Sequence, residues 1–184
     1  MSHRIACTLL LSLSALPLAP LPRQDPFAAR PSPEHALLEK LAGKWSTSFA
    51  LRMPGSPPVK SSGTEVNEML GKLWIVSRYD DPGMMGSAFS GAQIIGYDPD
   101  EKTYVGAWAD SQSASLSLQK GTYDAATKTL TLVGTSKDPF TGADSTVRTV
   151  MTLVDDDHRS QVMFVPGPGG KEMELFRIEY ERAK

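Results

Sequence analysis

The sequence predicts an all-β fold: a single antiparallel, up-and-down barrel of about ten strands with a short N-terminal helix. Three observations carry this reading. From residue 44 onward, apolar and polar residues alternate in runs of seven to twelve, the two-residue period of a half-buried strand. Turn residues separate these runs at regular spacing, and no helix-length segment lies between them, so parallel crossovers have no room. Finally, the motif Tyr-Asp-x-x-x-Lys-Thr occurs twice, at Tyr97–Thr103 and Tyr123–Thr129, with the two tyrosines 26 residues apart. Two strands plus two short turns take about 24–26 residues, so the repeat marks equivalent turns at one end of a sheet.

The chain opens with Met1 to Arg4 and then the apolar, leucine-rich "IACTLLLSLSALPLAPL". This reads as a secretory signal over residues 1–19. The run is too short for a comfortable membrane span, and Pro17 and Pro20 interrupt its end. Ala15 suits the last residue of the signal better than Ala19, which Pro20 follows. Cys7, the only cysteine, precedes most of the apolar run, so the sequence argues against a lipid anchor. The expected mature chain is exported, to a bacterial periplasm or beyond, and carries neither disulfide nor thiolate chemistry. Residues 20–33, "PLPRQDPFAARPSP", read as a Pro-rich leader, and residues 34–184 as the barrel domain. Basic and acidic residues nearly balance, 19 against 21, and no basic patch points to nucleic acid.

The helix has its signals in order. Ser32 can cap it, Pro33 suits its first turn and Gly43 can stop it. Leu37, Leu38 and Leu41 share one face, with His35 and Glu39 expected on the water side. About ten residues make a marginal helix, so it must dock on the sheet. The ten strand segments that follow are "KWSTSFALRM", "TEVNEML", "LWIVSRYD", "FSGAQIIGYD", "KTYVGAWAD", "ASLSLQKGTYD", "TKTLTLVGTS", "STVRTVMTLVD", "SQVMFVP" and "KEMELFRIEYER".

In an up-and-down order, alternate turns share an end. Leu70–Lys72, Asp98–Lys102, Asp124–Lys128 and Asp155–Arg159 then lie together, all short, with an acidic residue able to bond backbone N–H groups in three of them. The helix enters at this end, which it and Trp45 are expected to close. The opposite end gathers longer loops rich in Gly, Pro and exposed apolar residues: 54–58, 81–87, 110–115, 136–145 and 166–170. That end is the expected mouth. Around eight strands already make a barrel able to hold one small ligand.

A short helix followed by Gly43-Lys44-Trp45 at the start of the first strand resembles the lipocalin and calycin barrels. The wider set "LAGKW", "GTEVNEMLGKLWIVSRYD", "GYDPDEKTYVGAWADS", "GTYDAATKTLTLVG" and "FRIEYER" is similar to a bacterial exported family, domain of unknown function 1579, over about Glu34 to Arg182. The resemblance implies a lipocalin-like barrel and no assigned activity.

Catalytic patterns are scarce. "GSAFSG" at 86–91 lacks the spacing of a nucleophile elbow and sits in a meander. A serine triad would need His35, on a helix, or His158, in a tight turn. "DDDH" at 155–158 lacks the alternating ligands and glycine of a calcium loop. Heme would need an axial ligand, and no histidine falls in a predicted strand. "GPGG" at 167–170 lacks the Lys-Ser/Thr of a phosphate loop. An Arg-x-Tyr carboxylate clamp is absent too, since Arg177 and Tyr180 point to opposite faces of their strand. No cofactor, metal site or catalytic residue is therefore expected.

What remains lies near the expected mouth. Tyr104, Gly106, Trp108 and Asp110 share one face of strand five, and Met84 and Met85 belong to a loop over the same opening. Trp supplies a flat wall and Met adapts to varied apolar shapes, so Met84, Met85, Tyr104, Trp108 and Asp110 form the candidate ligand-binding set. The structural alternative is that Trp108 is ordinary core and the Met pair packs beneath its own loop. The leading expectation is a binding module for a small apolar or amphiphilic molecule. The others are a partner-binding envelope protein with a filled barrel, and an enzyme using Asp110 with Tyr104 or Tyr79.

Overall fold

The computed structural model describes residues 29–138 and 142–184. The signal expected over residues 1–19, and the leader up to residue 28, lie outside the described residues. The ten predicted strands are present: β1 (Gly43–Leu51), β2 (Val59–Leu70), β3 (Trp74–Asp81), β4 (Phe89–Asp98), β5 (Thr103–Asp110), β6 (Ser117–Asp124), β7 (Thr129–Lys137), β8 (Asp144–Leu153), β9 (His158–Pro166) and β10 (Glu172–Arg182). Each pairs antiparallel with its sequence neighbours, and β10 returns to β1, closing the barrel. Closure leaves no free sheet edge.

Two strand starts differ by three residues or more from the sequence pattern. β2 begins at Val59 instead of Thr64, because residues 59–63 complete the ladder with β1 despite their polar composition. β6 begins at Ser117 instead of Ala114, because Ser113 to Ser115 form a turn held by the Ser115 N–H on Ser113 Oγ (3.1 Å).

The N-terminal segment starts as a 3-10 turn, Pro33–His35, and continues as α1, Ala36–Leu41. This corrects the expectation for His35. The tighter turn swings its ring inward, where it is buried, accepts the Ser32 N–H on Nδ1 (3.0 Å) and meets Tyr97 edge-on. Leu37, Leu38 and Leu41 pack against Ile75, Ile95, Leu130, Leu132 and Met151, so α1 caps one end of the barrel.

The tight turns lie at that same end. Asp98 Oδ1 accepts the N–H groups of Asp100 and Glu101, Asp124 Oδ1 those of Ala126 and Thr127, and Asp155 Oδ1 that of Asp157. The repeat extends to the backbone: Lys102 and Lys128 both adopt left-handed φ, at 52° and 54°. Trp45 lies beneath α1, with its Nε1 donating to Leu41 O (3.0 Å) and the Arg182 guanidinium 4.2 Å over its ring. Arg182 also donates to the carbonyls of Ala42 (2.7 Å) and Lys40 (3.2 Å). Its cation thus serves the C-terminal carbonyls of α1, which lack partners within the helix.

Candidate functional site at the barrel rim

In β5 the inward-facing residues run from the helix-capped end to the loop-rich end as Tyr104, Gly106, Trp108 and Asp110. At about 3.3 Å per residue, Tyr104 and Asp110 stand about 20 Å apart. The five candidate residues therefore do not converge. Tyr104 belongs to the capped end, where its hydroxyl donates to Glu34 O (2.9 Å) and its ring meets Tyr97. Burial comes first in holding its phenol up to about 12, with Glu34 and Tyr97 adding to it. There it lines a groove of about 500 Å³ outside the cap, together with Tyr97, Tyr123, Lys40 and Lys102.

Trp108, Asp110 and Met84 lie at the loop-rich end. Trp108 Nε1 donates to Asp110 Oδ2 (2.9 Å), whose other oxygen accepts the Gln112 N–H (2.9 Å). The carboxylate thus fixes both the indole and the start of the 111–116 loop. The Trp108 ring stacks on Phe89 at 6.4 Å between centroids. Met84 is buried in the same cluster, whereas Met85 is exposed and holds a left-handed φ of 51°. The tip of the Met84–Met85 loop is tied down by Asp81, a fully buried carboxylate that accepts from Gly83 N (2.9 Å), Ser61 Oγ and Tyr79 OH (3.4 Å). Of the two tyrosines considered with Asp110, Tyr104 is at the far end of β5, whereas Tyr79 lies across Gly91 from Asp110 with its hydroxyl on Asp81.

Gly91 lies under the edge of the Trp108 indole, and a Cβ there would overlap the ring. Gly91→Ala is expected to push the indole aside, breaking its bond to Asp110 and its stack on Phe89. The expected cost is about 1–3 kcal/mol, the usual range for overpacking. A shifted tryptophan emission together with a lower urea midpoint checks this; an unchanged spectrum contradicts the placement.

A cavity of about 320 Å³ opens beside Trp108, lined also by Asp110, Ser117, Ser136, Lys137 and Asp144. One step deeper on the same inner wall, Gly106, Gln119 and Gly134 stand in register across β5, β6 and β7. Thr149 follows on β8, opposite Leu132. Gln119 and Thr149 are buried, and neither Gln119 Oε1 nor Thr149 Oγ1 has a protein partner among the described residues. Buried polar atoms are normally paired, so these two call for a bound molecule or water.

The inner wall also carries charge. Glu65 and Arg159, both buried, form an ion pair, and Tyr180 OH donates to the second Glu65 oxygen (3.2 Å). The guanidinium packs 3.8 Å from the Tyr180 ring centroid and 4.8 Å from that of Trp45. Sequence reasoning did not find this pair. Its signal is two charged residues at inward positions of otherwise apolar or neutral alternation, in β2 and β9. Among the described residues no three His, Cys, Asp or Glu side chains gather where they could hold a metal ion. His158, the exposed first residue of β9, instead pairs with Asp155 (2.9 Å), which raises its pKa; that of Asp155 is lowered first by the Asp157 N–H and then by His158.

The family described as protein of unknown function (DUF1579) matches residues 30–182. The chain belongs to this family. No curated protein matches it in sequence. Among solved structures, this DUF1579 barrel is similar to Rv2717c from M. tuberculosis, with a TM-score of 0.62 and 15% identity over 83% of this chain and 99% of that one. It is also similar to the S-type phycobiliprotein lyase CPES from Guillardia theta, with a TM-score of 0.54 and 10% identity over 82% and 93% of the two chains. At these identities the likeness is one of fold: the DUF1579 chain shares a lipocalin-like barrel with both.

Proposed function

We propose that this protein binds a small amphiphilic molecule inside the barrel, admitted at the loop-rich end beside Trp108. The observation that carries this reading is that two buried polar atoms lack partners: Gln119 Oε1, one layer behind the rim cavity, and Thr149 Oγ1, two residues deeper along β8 than the Gln119 row. A barrel meant only to be filled by its own side chains gains nothing from leaving them bare. The Trp108–Phe89 stack offers an apolar wall next to those acceptors, the mix of surfaces that small-ligand sites use. That a phycobiliprotein lyase is built on a similar barrel supports the reading by analogy of fold. The leucine-rich N-terminal segment supports export, so the ligand would be met outside the cytoplasm.

The test is native mass spectrometry of protein purified from its own host. A co-purifying mass lost on denaturation is expected. Its absence, with solvent-filled density around Gln119 in a crystal, removes the proposal. A second reading, a partner-binding envelope protein, is favoured by Leu116 and Leu118, which stand 61% and 65% exposed, the first just before β6 and the second within it. Leu118→Glu would then abolish capture of a partner from the same host.

A further inference from the structure

We propose that the head of the amphiphile is a polyhydroxylated ring, of the chemistry of a hexopyranoside, and that it seats in the rim cavity beside Trp108. This rests on the binding reading above and adds the class of ligand. The cavity has a structural cause. β6 joins β5 from Ser117 but joins β7 only from Gln119, so the wall parts over Ser117 and Leu118. The resulting notch, of about 320 Å³, falls in the size range of small-ligand pockets.

Its lining mixes donors and acceptors. Five hydroxyl-bearing residues border it, Ser113, Ser115, Ser117, Thr135 and Ser136, along with the carboxylates of Asp110 and Asp144 and the ammonium of Lys137. The hydroxyls of Ser115 and Ser136 have no protein partner among the described residues. Ser113 Oγ accepts the Ser115 N–H (3.1 Å) and keeps its own proton to donate. Each Asp110 oxygen accepts one bond, from Trp108 Nε1 and from the Gln112 N–H, and so has a lone pair left. Lys137 gives one proton to Asp144 (2.7 Å) and has two to spare.

A head that only donates leaves the Lys137 and serine protons unmet, and one that only accepts leaves the carboxylates unmet. Either would displace water without reproducing its hydrogen bonds, which loses affinity. Sugar hydroxyls donate and accept at adjacent carbons, so they meet both kinds of group. The indole sets the second requirement. Asp110 fixes its plane and Phe89 stacks on it, so Trp108 brings a rigid, flat apolar surface to the cavity. The C–H face of a pyranose ring matches such a surface, and an open-chain polyol does not.

The test titrates three octyl amphiphiles into the intact barrel, below their critical micelle concentrations and followed by calorimetry. Their heads are a glucoside, an ammonium that only donates and a methyl-capped oligo(ethylene glycol) that only accepts. The glucoside is expected to bind about tenfold more tightly than either of the others. Trp108→Leu should weaken the glucoside about tenfold, and Ser115→Ala combined with Ser136→Ala about fivefold, each with less effect on the other heads. Urea titration checks folding, and either variant decides if the other fails to fold. Equal affinity for the three heads, or a preference for the ammonium or the ether, would overturn the inference and leave the binding reading standing. So would a glucoside that binds the variants as tightly as the wild type. No binding by any head would overturn the binding reading as well.

Discussion

Arg159→Ala is expected to lower the stability of the barrel by about 3–5 kcal/mol, the range for removing one partner of a buried ion pair. Glu65 would be left with one donor, Tyr180 OH, in a site where it is only 7% exposed. The guanidinium also fills space against Trp45 and Tyr180, so its loss removes packing as well as charge. At this chain length the change corresponds to a fall in Tm of about 10 °C. The double replacement Glu65→Leu with Arg159→Met should recover most of the loss, because a buried pair repays little more than its own desolvation. Urea denaturation of the wild type and the two variants decides it. A single variant costing under about 1 kcal/mol means that water already reaches Glu65.

The second large effect is expected at alkaline pH. Three of the five tyrosines are buried with raised pKa values. Burial comes first in pushing Tyr79 up to about 12, with the nearby Asp81 charge adding to it. Tyr104 reaches about 12, again mainly through burial. Tyr180 is raised well above the ordinary range by burial and by Glu65, with Arg159 opposing. In the unfolded chain these phenols ionise near pH 10. Between about pH 10 and 12 the folded state thus holds protons that the unfolded state has lost, and stability falls as pH rises. Each such proton contributes about 1.4 kcal/mol per pH unit, so three give at most about 4. The stabilising contribution is complete below pH 10. Urea midpoints collected across this window, with tyrosinate absorbance read alongside, are the measurement. All five tyrosines titrating near pH 10 in a barrel that keeps its circular dichroism would contradict the burial assigned here.

The architecture was legible because a closed meander writes itself locally. Alternation fixed ten strands, and the Asp98 and Asp124 turns fixed which loops share an end, since an Asx bond needs only the next two or three residues. What the sequence hid was non-local or fine-grained. His35 is buried and not on the water side because one 3-10 turn rotates its side chain away from the helical position. β5 carries Tyr104, Trp108 and Asp110 on one face, as the alternation predicts, but the strand's length sets Tyr104 about 20 Å from Asp110. Glu65 and Arg159 lie 94 residues apart, and no local pattern pairs them.

Ring closure has a consequence for how the chain matures. β1 can take up β2 as soon as both are made, but its other edge waits for β10, and the roof over Trp45 waits for Arg182, which reaches back 140 residues to Ala42. Until the last stretch has emerged, the nascent polypeptide carries an open strand and an uncovered indole. Contacts this distant close slowly. Such a chain keeps one strand edge open until β10 is made, and then commits to its fold in one late step.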